Sequence, residues 1–492
     1  MSLIRRNMLS NFAGQGWIAL MGFVFVPFYL KFIGAEGYGL VGFFVVLSSS
    51  LAALDAGLSA TAIREITTYN DASQVEKKRI ISLLMTIEIL FWGMAFLVGG
   101  AVIMAAPLIA EYWLKINDEH LVAAVNALRL MGAAIAAQFP LAFYNGCLIG
   151  LQRQLTVNVV GVLSASLKGA GAVLVLWMIA PTVEAFFAWQ CIIGMATALA
   201  LRFSLRHEFN IKGIAKRFNF AAVAKVRKFA LGVGGVNILA FILTQVDKII
   251  LSTILPINMF GYYMLAWTLG TLCFRVVGPV FNAYYPRFTQ LVELNDEYEL
   301  KSTYLKACCV VGGLVAPLSI WIAFYAQELL VLWTHNEELA QSASGALALI
   351  SIGAMFNSFV SMPYALQLSN NWTALAFWQN LFAIIFILPA TYFFAKFYGL
   401  SGAALPWMLL NLGYVLVLVP IMYRRLVRSV MPSWYGRAVL LPTSISLTVM
   451  MILHYSFRWE KGILFSAISM AICLMAMMGT CFYFVILRFK SR

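Results

Sequence analysis

The stretch TQVDKIILS, residues 244–252, decides the class of fold because of the sequence around it. It lies in an apolar tract that runs from Phe229 to Phe274, and Asp247 and Lys248 are the only charged residues of that tract. A helix needs about 20 apolar residues to cross the roughly 30 Å hydrocarbon layer of a membrane. Tracts of this kind recur along the whole chain, so the sequence predicts an all-α polytopic membrane protein.

Composition supports the same class, because 62% of the 492 residues are hydrophobic and only 11% are charged. Soluble globular proteins fall outside this range. The N-terminus, MSLIRRNMLSNFAGQGW, is interpreted as a retained first helix, because its apolar run holds Asn11 and Gln15 and continues past any signal-peptide cleavage site. Taking each nearly uncharged run as one span predicts fourteen transmembrane helices: 8–30, 38–63, 80–107, 121–147, 155–179, 183–201, 229–254, 260–286, 307–326, 340–365, 372–395, 401–423, 438–456 and 462–487.

The distribution of Lys and Arg predicts the orientation, since cytoplasmic loops retain these residues. With both termini in the cytoplasm, 25 of the 34 basic residues fall on the cytoplasmic side and five on the other. The net charge of +14 is then explained by residues that set the topology and face an anionic leaflet. No nucleic-acid partner is expected.

Cysteine and histidine patterns argue against a metal site. The seven cysteines show no CxxC spacing and the four histidines form no HExxH motif. The cysteines are interpreted as small hydrophobic residues, and no metal or other cofactor is expected. The chain also lacks a GxxxxGK[ST] phosphate loop, so ATP hydrolysis by this chain is not expected.

A polar connection at residues 202–228 carries eight basic residues and divides the chain near its middle. It predicts an N-lobe at 1–206, a basic cytoplasmic linker at 207–228, a C-lobe at 229–428 and two further helices at 429–492. The linker is interpreted as a solvated membrane-surface segment, with a lipid-headgroup or partner site as the alternative.

The two halves resemble each other at a shift of 222 residues, where YLKFIGAEGYGLVGFF (29–44) aligns with LSTILPINMFGYYMLA (251–266). Gly39 then falls on Gly261. A duplicated unit of six helices enters the membrane from the same side twice, so the repeats are parallel and related by an axis along the membrane normal. Two such pseudo-symmetric bundles with a cleft between them are typical of transporters that work by alternating access.

Six segments resemble the recurrent motifs of one transporter family: LKFIGAEGYGL (30–40), LDAGLSATAIREI (54–66), GLQRQLTVNVV (150–160), VDKIILSTILPINMFGYY (246–263), YYPRFTQL (284–291) and YGLSGAALPWML (398–409). They are similar to the polysaccharide-biosynthesis exporters, which include the O-antigen (Wzx-type) flippases. That family belongs to the superfamily of multidrug, oligosaccharidyl-lipid and polysaccharide exporters. The resemblance covers predicted spans one to twelve.

The resemblance implies fourteen helices, two six-helix lobes and alternating access. It implies a flippase that carries undecaprenyl-pyrophosphate-linked oligosaccharide, an O-antigen or related unit, across the bacterial inner membrane. Polysaccharide polymerase and chain-length machinery are candidate partners besides the membrane lipids. The related lipid II flippases carry cavity-facing arginines in the first helix, whereas this chain offers Asn11 and Gln15, which argues against lipid II.

Apart from Glu184 at the edge of the sixth span, seven charged residues fall within the predicted spans. Charge there is costly and usually faces a bundle interior or an aqueous cavity. Lys168 and Arg275 fall near the midplane, one in each half of the chain. Arg suits bidentate phosphate contacts and Lys acts as a point charge. The pair is therefore predicted to bind a pyrophosphate headgroup; the alternative is that each is satisfied within its own lobe.

Asp55 and Glu88 fall at similar depth in neighbouring spans, about eight residues from the cytoplasmic ends. Two carboxylates at one level in a low dielectric repel each other, so one would hold a proton near neutral pH. They are candidates for proton or sodium coupling. A structural hydrogen bond within the lobe is the alternative for Asp55.

Asp247 and Lys248 point about 100° apart on a helix, so they are expected to find different partners. Lys248 shares a face with Asn237, Thr244 and Ser252, which predicts a cavity lining. Asp247 falls at a depth similar to Arg129, which predicts an inter-lobe ionic latch at the outer gate, with pairing inside one lobe as the alternative.

Arg64 falls at the cytoplasmic surface, where its effect on topology suffices to explain it. Contact with the entering headgroup is the alternative, and Arg64 is kept as a candidate substrate residue with Asn11 and Gln15.

Two other functions remain to be weighed. A membrane polymerase, ligase or glycosyltransferase generally needs an exposed catalytic loop, and the predicted periplasmic loops are short. No catalytic residue is therefore assigned. A multidrug exporter of cations would be disfavoured by the positive charge of Lys168 and Arg275.

Overall fold

The computed structural model describes residues 3–52, 58–67, 69, 72–209, 241, 244–245, 247–372, 374–456 and 462–483. Within these ranges, the side chains of residues 3–13, 51–52, 60, 64, 454–456 and 462–467 lie outside the description. Every regular element of the described residues is a helix. The prediction of an all-α protein is therefore confirmed.

The chain forms two compact units, residues 1–261 and 262–492. Residues 247–254 of the first unit are also helical. The helix Ile257–Gly270 begins in the first unit and ends in the second. The labelled helices of the first unit are α1 (Leu3–Val24), α2 (Val26–Ala52), α3 (Leu58–Ile66), α4 (Gln74–Leu108), α5 (Asp118–Gln138), α6 (Leu141–Gly150), α7 (Gln154–Met178), α8 (Val183–Glu208) and the start of α9 (Ile257–Gly270).

The second unit continues α9 and ends with the C-terminal helices. Short π-helical and 3₁₀ segments at residues 414–418, 428–430 and 434–440 connect its later elements. Its labelled helices are α10 (Cys273–Glu293), α11 (Glu297–Phe324), α12 (Ala326–Thr334), α13 (Glu337–Ser369), α14 (Ala374–Gly413), α15 (Val419–Arg425), α16 (Met431–Ser433), α17 (Leu441–Ser456) and α18 (Gly462–Cys481).

In the described part of the chain, nine helices are long and apolar enough to cross a membrane. The pair α9 and α10, bent by 42° at a short break, makes a tenth. The protein is therefore an integral membrane protein, as predicted. The number of fourteen spans stays a prediction, since some continuous helices, such as the 40-residue α14, hold more than one predicted span.

Two glycines interrupt the helices α2 and α14 in backbone conformations that only glycine adopts readily. Gly34 has φ 68° and ψ −177° inside α2, and Gly399 has φ 59° and ψ −138° inside α14. A side chain is strained at such angles. The break at Gly399 falls between the predicted spans 372–395 and 401–423 and separates α14 into two helical segments.

Local sequence also fixes where the spans begin. At the start of α4, the Ser73 hydroxyl accepts the Glu76 N–H at 3.3 Å and the Glu76 carboxylate accepts the Ser73 N–H at 2.9 Å. This reciprocal capping box satisfies two backbone donors that the first turn leaves free. The core of this region buries aromatic and aliphatic side chains of α4, α6 and α8, among them Phe91, Phe143, Tyr144, Leu201 and Leu205.

Within the second unit, the helices that follow the predicted repeat, α17 and α18, pack against α11. Trp321 of α11 donates from Nε1 to the backbone oxygen of Met470 in α18 at 2.9 Å. In the same core, the hydroxyls of Tyr304 and Tyr423 lie 2.7 Å apart. Of the predicted linker, residues 207–228, the structure describes His207, Glu208 and Phe209 alone, and the predicted lobe boundaries stay predictions.

Candidate functional site

Lys168 lies within α7, 14 residues after Gln154 and 10 before Met178. Its ammonium donates to Oε1 of Gln138, on α5, at 2.6 Å. Among the described side chains, no carboxylate lies within 4.0 Å of this ammonium. A neutral amide supports the cation without cancelling its charge, so the charge can act on an anionic group.

Polar contacts fix the backbone around Lys168. Tyr29 of α2 donates to the carbonyl oxygen of Gly169 at 3.3 Å. The Gln190 side chain of α8 donates to the backbone carbonyl oxygen of Lys168, also at 3.3 Å. Two residues before Lys168, Trp17 of α1 donates to the Ser166 hydroxyl at 2.9 Å. Three neighbouring helices therefore hold this part of α7 in place.

The first helix contributes an exposed polar residue to the same half of the protein. Gln15 is exposed, and α1 packs against α7. Close packing is visible at Gly14, where an added Cβ would lie 3.0 Å from the Asn158 side chain of α7. The side chain of Asn11 lies outside the described residues, so its predicted role stays a prediction.

Arg275 is the central residue of the bent pair α9–α10, because it lies 18 positions from both Ile257 and Glu293. Its side chain is exposed, just after the 42° bend. In the described part of the chain, its guanidinium has no hydrogen-bond or ion-pair partner. A central position and an exposed, unpaired cation agree with a headgroup role. Lys168 belongs to the first unit and Arg275 to the second, and their joint role stays a prediction.

The prediction that Asp247 and Lys248 find different partners is wrong. The Lys248 ammonium lies 3.2 Å from both Asp247 carboxylate oxygens and donates to the Thr244 carbonyl oxygen at 2.8 Å. Helical side chains lean toward the N-terminus, and the long Lys stem folds back over the preceding turn to reach its neighbour. The angle between neighbouring positions on a helix does not predict this contact.

The predicted cavity lining at Lys248 is not found in this structure either. Lys248 is 3% exposed and Asp247 is 6% exposed, and the Ser252 hydroxyl accepts a hydrogen bond from Trp113 at 2.9 Å. Arg129 is exposed, and it forms no ion pair with Asp247 here. The latch between Asp247 and Arg129 stays a prediction for another conformation.

Glu88 is held by several donors. Its carboxylate accepts from Arg202 at 2.6 Å and from the Tyr144 hydroxyl at 2.7 Å, while Arg206 lies 3.7 Å away. Trp92 in turn donates to the Tyr144 oxygen at 3.0 Å. The structure thus gives Glu88 an ion-pair role that the sequence did not indicate.

The side chains of two further predicted site residues, Asp55 and Arg64, are not described. Asp55 lies outside the described residues, and Arg64 lies in α3 with its side chain outside the description. Sequence reasoning also missed Gln138, whose signal was an amide at the end of the apolar run LMGAAIAAQ, residues 130–138. Arg202 and Arg206 belong to the basic connection at residues 202–228, whose pattern does not indicate a contact with Glu88.

Residues 4–292 match the family of polysaccharide biosynthesis proteins. A candidate O-antigen transporter of Shigella flexneri is 24% identical over 413 residues, which cover 83% of this chain and 94% of that protein. The lipopolysaccharide biosynthesis protein WzxC of Escherichia coli K12 is 22% identical, with 76% of this chain and 74% of WzxC covered.

Solved structures with a similar fold include the lipid II flippase MurJ in an inward closed conformation. It has a TM-score of 0.69 at 13% identity, with 97% of this chain and 98% of MurJ covered. An inward-facing multidrug resistance transporter of the MATE family has a TM-score of 0.64 at 14% identity, with 85% and 94% covered. At these identities the likeness shows the fold alone. The family match spans more than half of the sequence, and the chain belongs to the polysaccharide biosynthesis protein family.

Proposed function

We propose that this protein is a flippase that moves a lipid-linked oligosaccharide from the inner to the outer leaflet of a bacterial inner membrane. The family, the names of two relatives and the fold shared with MurJ support this class of substrate. The observation that carries the proposal is Lys168, an ammonium in a membrane helix that is bonded to an amide and to no described carboxylate. Such a cation suits a pyrophosphate headgroup.

Lys168 and Arg275 are each proposed to contact the headgroup during alternating access. Lys supplies a compact charge and Arg a planar fork that matches phosphate oxygens. Gln15, Asn11 and Arg64 are proposed to meet the sugar or the entering headgroup. Lys248 is left out of this set because it is buried against Asp247.

Energy is proposed to come from a proton or sodium gradient, or from removal of the product outside. Since Glu88 is bound to Arg202, Asp55 is the remaining carboxylate of the pair that was expected to bind the ion. Both termini are proposed to be cytoplasmic, with polymerase and chain-length machinery as downstream partners. A multidrug exporter has the same fold, but the positive charge of Lys168 would repel a cationic drug.

The proposal is tested by locating lipid-linked oligosaccharide in the two leaflets of cells that lack the gene. Accumulation in the inner leaflet supports flipping, and an undiminished outer supply contradicts it. Complementation with Lys168→Ala is expected to restore transport at least about tenfold less well than the parent, as for loss of a charge-assisted contact. Lys78→Ala is the matched control, since Lys78 is exposed near the start of α4.

A further inference from the structure

A groove of about 730 Å³ opens between α4 and α8 in the first unit. Glu88, Trp92 and Phe96 line it from α4, and Leu199, Arg202 and Arg206 line it from α8. These positions recur every three or four residues along each helix, so each set forms one continuous wall. Neither Lys168 nor Arg275 lines this groove.

The charges of the groove do not cancel. Two guanidinium groups face one carboxylate, and the groove is lined by no other charged residue of the described chain, which leaves a net charge of +1. The Arg202 and Arg206 side chains are 34% and 43% exposed, whereas that of Glu88 is 13% exposed. Each guanidinium has five N–H donors, and Glu88 engages few of them. The groove therefore presents free cationic donors.

The walls are apolar away from the charges. Phe96 is 67% exposed and Leu199 is 49% exposed. Large exposed apolar side chains on membrane helices face acyl chains. Arg206 lies two residues from the end of α8. Leu199 lies about two turns deeper along the helix, roughly 10 Å along its axis. The groove thus has a cationic end near the helix terminus and an apolar end deeper in the membrane.

We infer that this groove binds one anionic phospholipid, with its phosphate on Arg202 and Arg206 and an acyl chain along Phe96 and Leu199. The order of cationic and apolar walls matches the order of headgroup and tail, which a free phosphate lacks. In the predicted orientation the lipid belongs to the cytoplasmic leaflet. The inference goes beyond the proposed function, since the site lies within one unit and shares no residue with the proposed translocation path.

The test measures lipid affinity of the purified full-length protein in a neutral detergent, by native mass spectrometry or by thermal stabilisation. Phosphatidylglycerol and phosphatidylcholine with identical acyl chains are compared, with glycerol phosphate and inorganic phosphate as probes that lack tails. Phosphatidylglycerol is expected to bind at least about tenfold more tightly than each other probe, since each of them lacks either the net charge or the tail. Equal affinity for phosphatidylcholine, or for either soluble phosphate, would overturn the inference.

Variants assign the binding to this groove. Arg206→Gln is expected to weaken phosphatidylglycerol binding about tenfold. Arg153→Gln, which removes a surface cation paired with Glu208 at 2.9 Å, is the control and should bind like the parent. An unchanged affinity in Arg206→Gln, or an equal loss in the control, contradicts the site.

A second variant keeps the test decisive if Arg206→Gln does not fold. Glu88→Gln removes the one carboxylate, raises the net charge of the groove and should tighten phosphatidylglycerol binding. A gain supports the inference, and an unchanged or weaker affinity in folded Glu88→Gln overturns it.

Discussion

Gly39 and Gly261 pack backbone against backbone: an added Cβ on Gly261 would lie 2.9 Å from the amide nitrogen of Gly39 and 3.0 Å from its Cα. These two residues are equivalent under the predicted shift of 222 residues. Equivalent positions touch each other where a twofold axis passes between them. The internal repeat itself stays a prediction.

Gly39→Ala is expected to destabilise the protein by about 1–3 kcal/mol, because the added methyl group would overlap the carbonyl oxygen of Ile257. A thermal melt in detergent measures the change. Gly22→Ala is the control, since an added Cβ at Gly22 meets nothing within 4 Å. An equal effect of both substitutions would contradict the close approach of α2 and α9.

Gly34→Ala and Gly399→Ala should each cost about 1–3 kcal/mol through backbone strain, because both glycines have positive φ. Space is not the cause, as an added Cβ at either site meets nothing within 4 Å. Gly413→Ala, at a site with the same free space at the end of α14, should leave the melting temperature unchanged or raise it. Equal melting temperatures for all three variants would refute the two breaks.

Lys248→Met should destabilise the protein by about 3–5 kcal/mol, because it leaves the buried Asp247 carboxylate without its cation. The double variant Asp247→Leu with Lys248→Met removes both charges and should melt above either single variant. Comparing the four proteins gives the coupling free energy of the pair. Strictly additive effects would mean that the two charges do not interact.

Arg275→Ala should lower transport of lipid-linked oligosaccharide about tenfold while leaving the melting temperature nearly unchanged, because the side chain is exposed and free of described partners. Arg287→Ala, which removes an exposed arginine bonded to Gln290 on the same helix, should transport normally. Transport and melting are measured on the same preparations. Normal transport by Arg275→Ala would remove this residue from the proposed headgroup site.

Sequence reasoning reached the fold class because hydrophobic length and charge distribution are properties of single helices. The interpretation of Lys168 as a membrane-embedded cation also follows from its place in one helix. Its partner Gln138 lies 30 residues away on another helix, and no periodicity within α7 indicates which helix packs there.

The errors arose where side-chain reach or tertiary packing decided the outcome. The angle between neighbouring helical positions predicted different partners for Asp247 and Lys248. The flexible Lys stem determines their contact instead. Glu88 was paired with Asp55 by depth alone. Its donors Arg202 and Tyr144 come from helices that only the folded chain brings beside α4.

The contact between Lys248, Asp247 and the Thr244 carbonyl needs only a single turn of helix. It can therefore form during biosynthesis, before any neighbouring segment has been made. The translocon would then meet one neutral dipolar group instead of two separate ions, each of which costs about 2.5–3.5 kcal/mol to insert at the centre of a helix. The pairing thus lowers the cost of inserting this helix into the bilayer before its neighbouring helices have been made.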